Sequence, residues 1–145
     1  MRLVGLFVFA LAGVAVAQAP DYKPVGSMTE LMVRIIYPAS DALFYIERDP
    51  PKTDVQWNNI RTQALMLAES GNLMIMPSRA RDQGDWVKES RVMIDLAAEA
   101  YRAALAKNMD GILAVNDKLA DSCIVCHQQY RANYPKRRVP SEPQK

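Results

Sequence analysis

From Met28 to Tyr134 the apolar residues of this chain fall three and four positions apart in four successive stretches, and no stretch alternates apolar with polar residues as a strand would. That spacing puts the apolar side chains on one face of a helix each time. The first stretch carries Met28, Leu31, Met32, Ile35, Ala39, Ala42, Leu43 and Ile46. It opens at Ser27-Met-Thr-Glu30, a capping box, and closes at Arg48-Asp-Pro-Pro51. Pro38 lies inside it and is expected to kink the helix between Arg34 and Pro38, because proline removes an amide donor. The second opens at another capping box, Thr53 to Gln56, presents Trp57, Ile60, Ala64, Leu67 and Ala68, and is expected to stop at Gly71-Asn72. The third runs from Asp85 to Lys107 and presents Trp86, Ser90, Met93, Ile94, Ala97, Tyr101 and Ala104. The fourth runs from Asn108 to Tyr134-Pro135 with Ile112, Val115, Leu119, Cys123, Cys126, His127 and Tyr130 on one stripe. Four amphipathic helices joined by short connections predict an all-α, antiparallel four-helix bundle over residues 27–135. The link between the second and third helices begins with apolar Leu73, Met74, Ile75 and Met76 before Pro77 breaks it, and is expected to cover something buried.

The chain ahead of the bundle reads differently. Arg2 is followed by an apolar run from Leu3 to Val16, and Ala15-Val16-Ala17 fits the small-residue cleavage pattern of an export signal. The run is shorter than the roughly 20 residues that span a bilayer. Residues 1–17 are therefore expected to be removed, leaving 128 residues that begin at Gln18, with a short tether over 18–26. An uncleaved anchor is the alternative. The mature protein is expected in the periplasm, without stable membrane insertion. Without Arg2 it has 17 basic and 16 acidic side chains, so charge gives no case for binding nucleic acid. The tail over 136–145 is basic, rich in proline and expected to be mobile.

Export sharpens the meaning of Ser122-Cys-Ile-Val-Cys-His127. Both cysteines of the chain and its one histidine lie within these six positions. Outside the cytosol two cysteines ordinarily become a disulfide. C-x-x-C-H is also the attachment motif of a c-type haem. Thiols three residues apart can each add to one vinyl group of the porphyrin, and the histidine directly after the second thiol then ligates the iron. Thioether formation consumes both sulfurs, so no disulfide persists. A thioredoxin-like dithiol would need a βαβ setting, and a zinc site about four ligands where this chain offers three. A plain disulfide beside an incidental histidine is the remaining alternative. No cluster of nucleophile, base and carboxylates suggests an enzyme.

A haem motif in the last helix of an exported four-helix chain, followed by Tyr130 and Arg131, resembles the class II c-type cytochromes, the cytochrome c′ group. The resemblance spans Met28 to Tyr134. It implies one covalent haem c held by Cys123 and Cys126, with His127 as the proximal iron ligand. It also implies that Arg131 lies near the haem, where a cation raises the reduction potential; a solvated arginine is the plain alternative. Tyr130 matches the aromatic position of the family, and core packing alone would also account for it. Family members often pair through their first two helices, which makes a homodimer one option here.

The resemblance places the second axial site of the iron against the first helix. A methionine there gives a six-coordinate electron carrier, whereas an apolar side chain leaves the site open to CO or NO. Met28 and Met32 share one helix face, with Leu31 beside them. Position relative to the helix start favours Met32 as sixth ligand, with Met28 as alternative; Leu31 at the iron would leave the site open. Met74 and Met76 are weaker candidates, and simple core filling is what a methionine stripe usually means. The leading expectation is a periplasmic one-electron carrier serving redox proteins that the sequence does not identify. The runner-up is a five-coordinate gas-binding protein.

Overall fold

The computed structural model of the chain describes residues 22–134; the expected signal peptide, the first residues of the tether and the basic tail lie outside the described residues. Among these residues every regular element is helical: α1 (Met28–Leu31), a π turn (Met32–Ile36), α2 (Tyr37–Phe44), α3 (Asp54–Met74), α4 (Asp85–Leu105) and α5 (Met109–Tyr130). The first three follow one another without a break, so four rods pack together.

Local chemistry fixes where each rod begins. Glu30 N–H donates to Ser27 Oγ at 3.2 Å, and Ser27 N–H donates back to Glu30 Oε2 at 2.9 Å. Thr53 and Gln56 repeat the arrangement at the start of α3. Both capping boxes read from the sequence are present in full. At the other turn, Lys107 takes a left-handed φ of 51° that ends α4, and Asn108 Oδ1 accepts from Gly111 N–H at 3.0 Å to start α5. Three residues between helices leave α5 no course but back along α4.

Pro38 bends the rules as expected, by a route not foreseen. Without an N–H it cannot serve the Arg34 carbonyl, and its ring would strike that carbonyl in a regular helix. The turn before it opens instead: Tyr37 N–H donates to Met32 O, five residues back, and the helix continues through the proline. The helix then ends at Phe44, and Tyr45 to Arg48 form a turn that buries Ile46 at 2% exposure.

Gly71 does not stop α3, which runs on to Met74. A Cβ at position 71 would lie 2.3 Å from Ile94 Cγ1 and 3.3 Å from Met93 Cε. The glycine is there because α3 and α4 approach too closely for a side chain. Ala64, Ala97, Ala100 and Ala104, all nearly inaccessible, extend the same close packing along these two helices. Leu43, Leu67, Ile112 and Leu119 are fully buried around them, each stabilising the fold by about 1.5–3 kcal/mol.

Long-range hydrogen bonds give the directions of the rods. Trp86 Nε1 donates to Met74 O at 2.9 Å, joining the start of α4 to the end of α3. Gln129 Nε2 donates to Asp85 Oδ2, joining the end of α5 to the start of α4. Asn116 Nδ2 donates to Leu43 O at 3.0 Å, joining the first half of α5 to the end of α2. The bundle is antiparallel throughout. One end collects the turn 106–108 and the start of α3, where Lys107 Nζ pairs with Asp54 Oδ1 at 2.6 Å. The other end collects the start of α1, the link between α3 and α4, and the last turns of α5.

Candidate cofactor-attachment site

All the residues singled out in the sequence lie at that second end. The buried stripe of α5 runs Ile112, Val115, Leu119, Ser122 and Cys126. Ser122 takes the place expected for Cys123; its hydroxyl donates to Leu119 O at 2.8 Å, which lets a polar residue sit in the core. Cys123, His127 and Tyr130 occupy the next strip around the helix and are half-buried. Two thiols one helical turn apart thus straddle the edge of the core, with the imidazole between solvent and protein.

Both thiols are free. Burial pushes the Cys123 thiol up. It pushes Cys126 to about 11, assisted by neighbouring Cys123 and by the charges of Glu89 and Asp82. At neutral pH both stay protonated. Burial, and then the Arg131 guanidinium, lower the pKa of His127 below 6.5, so the imidazole is neutral with a lone pair available. Among the described residues no set of three or more histidine, cysteine, aspartate and glutamate side chains converges to hold a metal ion by itself.

The helix ends at Tyr130, four residues earlier than expected. Arg131 turns extended and Asn133 takes a φ of 60°, which folds the chain back. Tyr134 then rests against His127, ring centroids 5.3 Å apart and tilted by 57°, with the Arg131 guanidinium 5.6 Å from the Tyr134 ring. The sequence did carry a signal for this contact. Asn133 is a residue that tolerates the left-handed region, and Pro135 drives Tyr134 out of helix.

The link between α3 and α4 closes the end of the bundle with two side chains that sequence reasoning missed, Asp82 and Arg79. Asp82 Oδ1 accepts from Gly84 N–H at 2.8 Å and Trp86 N–H at 3.1 Å, and so caps α4. Its other oxygen accepts from the Tyr130 hydroxyl. Trp86 is buried and meets the Tyr130 ring edge-on at 5.0 Å. Arg79 reaches the opposite way, donating to Gly26 O at 3.0 Å, just ahead of the Ser27 cap, and to Met76 Sδ at 3.5 Å. Of the four apolar residues expected to cover the core, Met74 is buried and Ile75 and Met76 are half-buried, but Leu73 is exposed, and Leu73 and Met74 belong to the last turn of α3 rather than to the link.

On the first rod, Leu31 is buried at 4% exposure, and Met28 and Met32 are half-buried against the margin of the core. Met74 belongs to the core, and the Met76 sulfur is engaged by Arg79. Arg131 is exposed. A groove of about 430 Å³ between α4 and α5 is lined by Val92, Leu96, Ser122 and Val125, on the far side of α5 from His127. None of the described helices is long and apolar enough to cross a membrane. Comparison with protein-family models, curated proteins and solved structures gave no match.

Proposed function

We propose that the chain is an exported c-type cytochrome that carries one electron at a time on a single covalent haem c. The observation that carries this reading is the donor set on α5: two free thiols one turn apart, followed at once by the chain's one imidazole. These residues fit the group. Each S–H would add across one vinyl C=C, sulfur to one carbon and hydrogen to the other, so attachment consumes no oxidant. The haem would supply the one-electron change between ferrous and ferric iron. Cys123 and Cys126 would hold it and His127 would ligate its iron, with Tyr134 packed against the His127 ring. The half-buried placement of Cys123 and His127 leaves one edge of the site open to redox partners. Nothing in this reading requires catalytic turnover. Tyr37, Leu65, Met66 and Leu73 are exposed on the first rod and α3. A homodimer of the kind implied by the resemblance to cytochromes c′ would cover side chains such as these.

The reading is tested by haem staining after denaturing electrophoresis. A thioether-linked haem stays with the chain, and the stain should vanish in the Cys123→Ala/Cys126→Ala double variant. A band without stain in the unmodified protein contradicts the proposal.

A second reading has one observation behind it. Leu31 is the deepest side chain between Met28 and Met32, so an open axial site for CO or NO competes with methionine ligation. Methionine ligation predicts a charge-transfer band that is lost in Met32→Ala and kept in Met28→Ala, with little CO uptake by the reduced protein. Rapid, tight CO binding at neutral pH favours the gas-binding alternative.

A further inference from the structure

Leu31 and Ile36 are both buried on the first rod, five positions apart. A regular helix turns by about 100° per residue, so its buried residues recur at spacings of three and four. From Ile36 onward the rod obeys that rule, with Ala39, Ser40 and Leu43 buried. One regular turn before Ile36 stand Met32 and Val33. Yet Met32 is only half-buried and Val33 is 62% exposed. The π turn over Met32–Ile36 accounts for the gap. It uses one extra residue in a single turn, which rotates the helix ahead of it by about 100°. Leu31 thereby takes the inward place that Met32 would hold in an unbroken α-helix.

The cause of the turn lies just past its end. Pro38 offers no N–H to the Arg34 carbonyl, and Tyr37 N–H donates to Met32 O instead. Val33, Arg34, Tyr37 and Pro38 are exposed, so water can serve the carbonyls that the turn leaves over. Leucine and methionine fill similar volumes, and exchanging one for the other in a core changes little. The backbone then decides between the two registers. We propose that Pro38 is a register selector: through the π turn it delivers Leu31 rather than Met32 to the interior of the bundle. The register itself needs no cofactor. Its effect at an iron rests on the covalent-haem reading and deepens it. The resemblance sets one axial position of the haem against this rod, and Pro38 is then the positioning residue that keeps a sulfur ligand away from it. Without the proline, that inward place should pass to Met32.

The register is read by thiol labelling of Leu31→Cys and of Met32→Cys in haem-loaded protein, where attachment has consumed Cys123 and Cys126. With Pro38 in place, Leu31→Cys should label slowly and Met32→Cys faster. In Pro38→Ala that order should invert. Deleting Arg34 from Pro38→Ala removes the extra residue, sets Leu31 four positions before Ile36 and should restore the original order. At the iron, the reduced wild type should bind CO readily. Pro38→Ala should gain a methionine–iron charge-transfer band and bind CO more weakly, and the Arg34 deletion should undo both. An unchanged labelling order in Pro38→Ala overturns the inference and leaves the cytochrome reading standing. Inverted labelling with no change in CO binding or in the band overturns the role at the iron. If Pro38→Ala does not fold, recovery of a folded deletion variant with Leu31→Cys protected supports the inference, and failure to recover one overturns it. A wild type that does not stain for haem overturns the cytochrome reading, and labelling in the Cys123→Ala/Cys126→Ala background then decides the register by itself.

Discussion

Asp82 divides its two oxygens between two helices, capping α4 with one and holding Tyr130 of α5 with the other. The pair works only with the carboxylate ionised and the phenol protonated. The Tyr130 pKa rises from 10.0 to about 12, chiefly through the hydrogen bond to Asp82. Its contribution to stability is complete below pH 10 and fades as pH climbs through 12. The Asp82 pKa lies below 3.8, so its contribution is present above that value and fades as pH falls through the folded value. Tyr130→Phe should lower Tm by a constant amount between about pH 5 and pH 9, and the gap should close at both extremes. A gap that persists unchanged to pH 12 contradicts the assigned pairing. Arg131 offers a second check. Its charge lowers the His127 pKa, so it is felt at the imidazole, yet the side chain is exposed. In the haem-loaded protein of the proposed function, Arg131→Gln should lower the reduction potential by less than about 40 mV, because a solvent-exposed unit charge is worth about 1 kcal/mol or less. At this scale the sequence was only partly legible. C-x-x-C-H announces itself by spacing, but Asp82, Tyr130 and Arg79 act across 48 and 53 residues of chain, and no local pattern pairs them.

The two capping boxes and the spacing of three and four placed the starts of α1 and α3 where they occur, because both signals are local and depend on a few adjacent residues. Gly71 was harder. Read alone it looks like a helix stop, yet it marks the closest approach of α3 and α4, a property of the pair that neither helix reveals separately. Gly71→Ala should destabilise the protein by about 1–3 kcal/mol, since Ile94 is β-branched and cannot swing its Cγ1 away freely within a helix. Chemical denaturation of Gly71→Ala, Ile94→Ala and the double variant should give a favourable coupling between the two sites. Simple additivity would contradict the contact. Pro38 was legible as an irregularity but not in kind: a kink, a break and a π turn all relieve a missing donor, and the packing of the first rod on α3 and α5 selects among them. The end of α5 moved for a related reason. Tyr134 gains a ring contact with His127 by leaving the helix, and helix periodicity carries no trace of that contact.

Across the whole molecule, antiparallel packing sends every candidate residue to one end, although Met28 and His127 are nearly a hundred positions apart in the chain. The bundle itself was legible because four amphipathic stretches with short connections have few other ways to bury their apolar faces. Which edge of α5 would enter the core was not, because Ser122 and Cys123 differ by one position and only packing decides between them. The account stands on the covalent link between Cys123, Cys126 and a haem, and intact-mass measurement addresses that link directly. The protein is produced with its leader in a host that matures c-type cytochromes, then weighed under denaturing conditions. The expected mass is that of the chain from Gln18 onward plus one haem, with no change on treatment with a thiol reductant. The mass of the chain alone, or of the chain less the two hydrogens of a disulfide, would contradict the account.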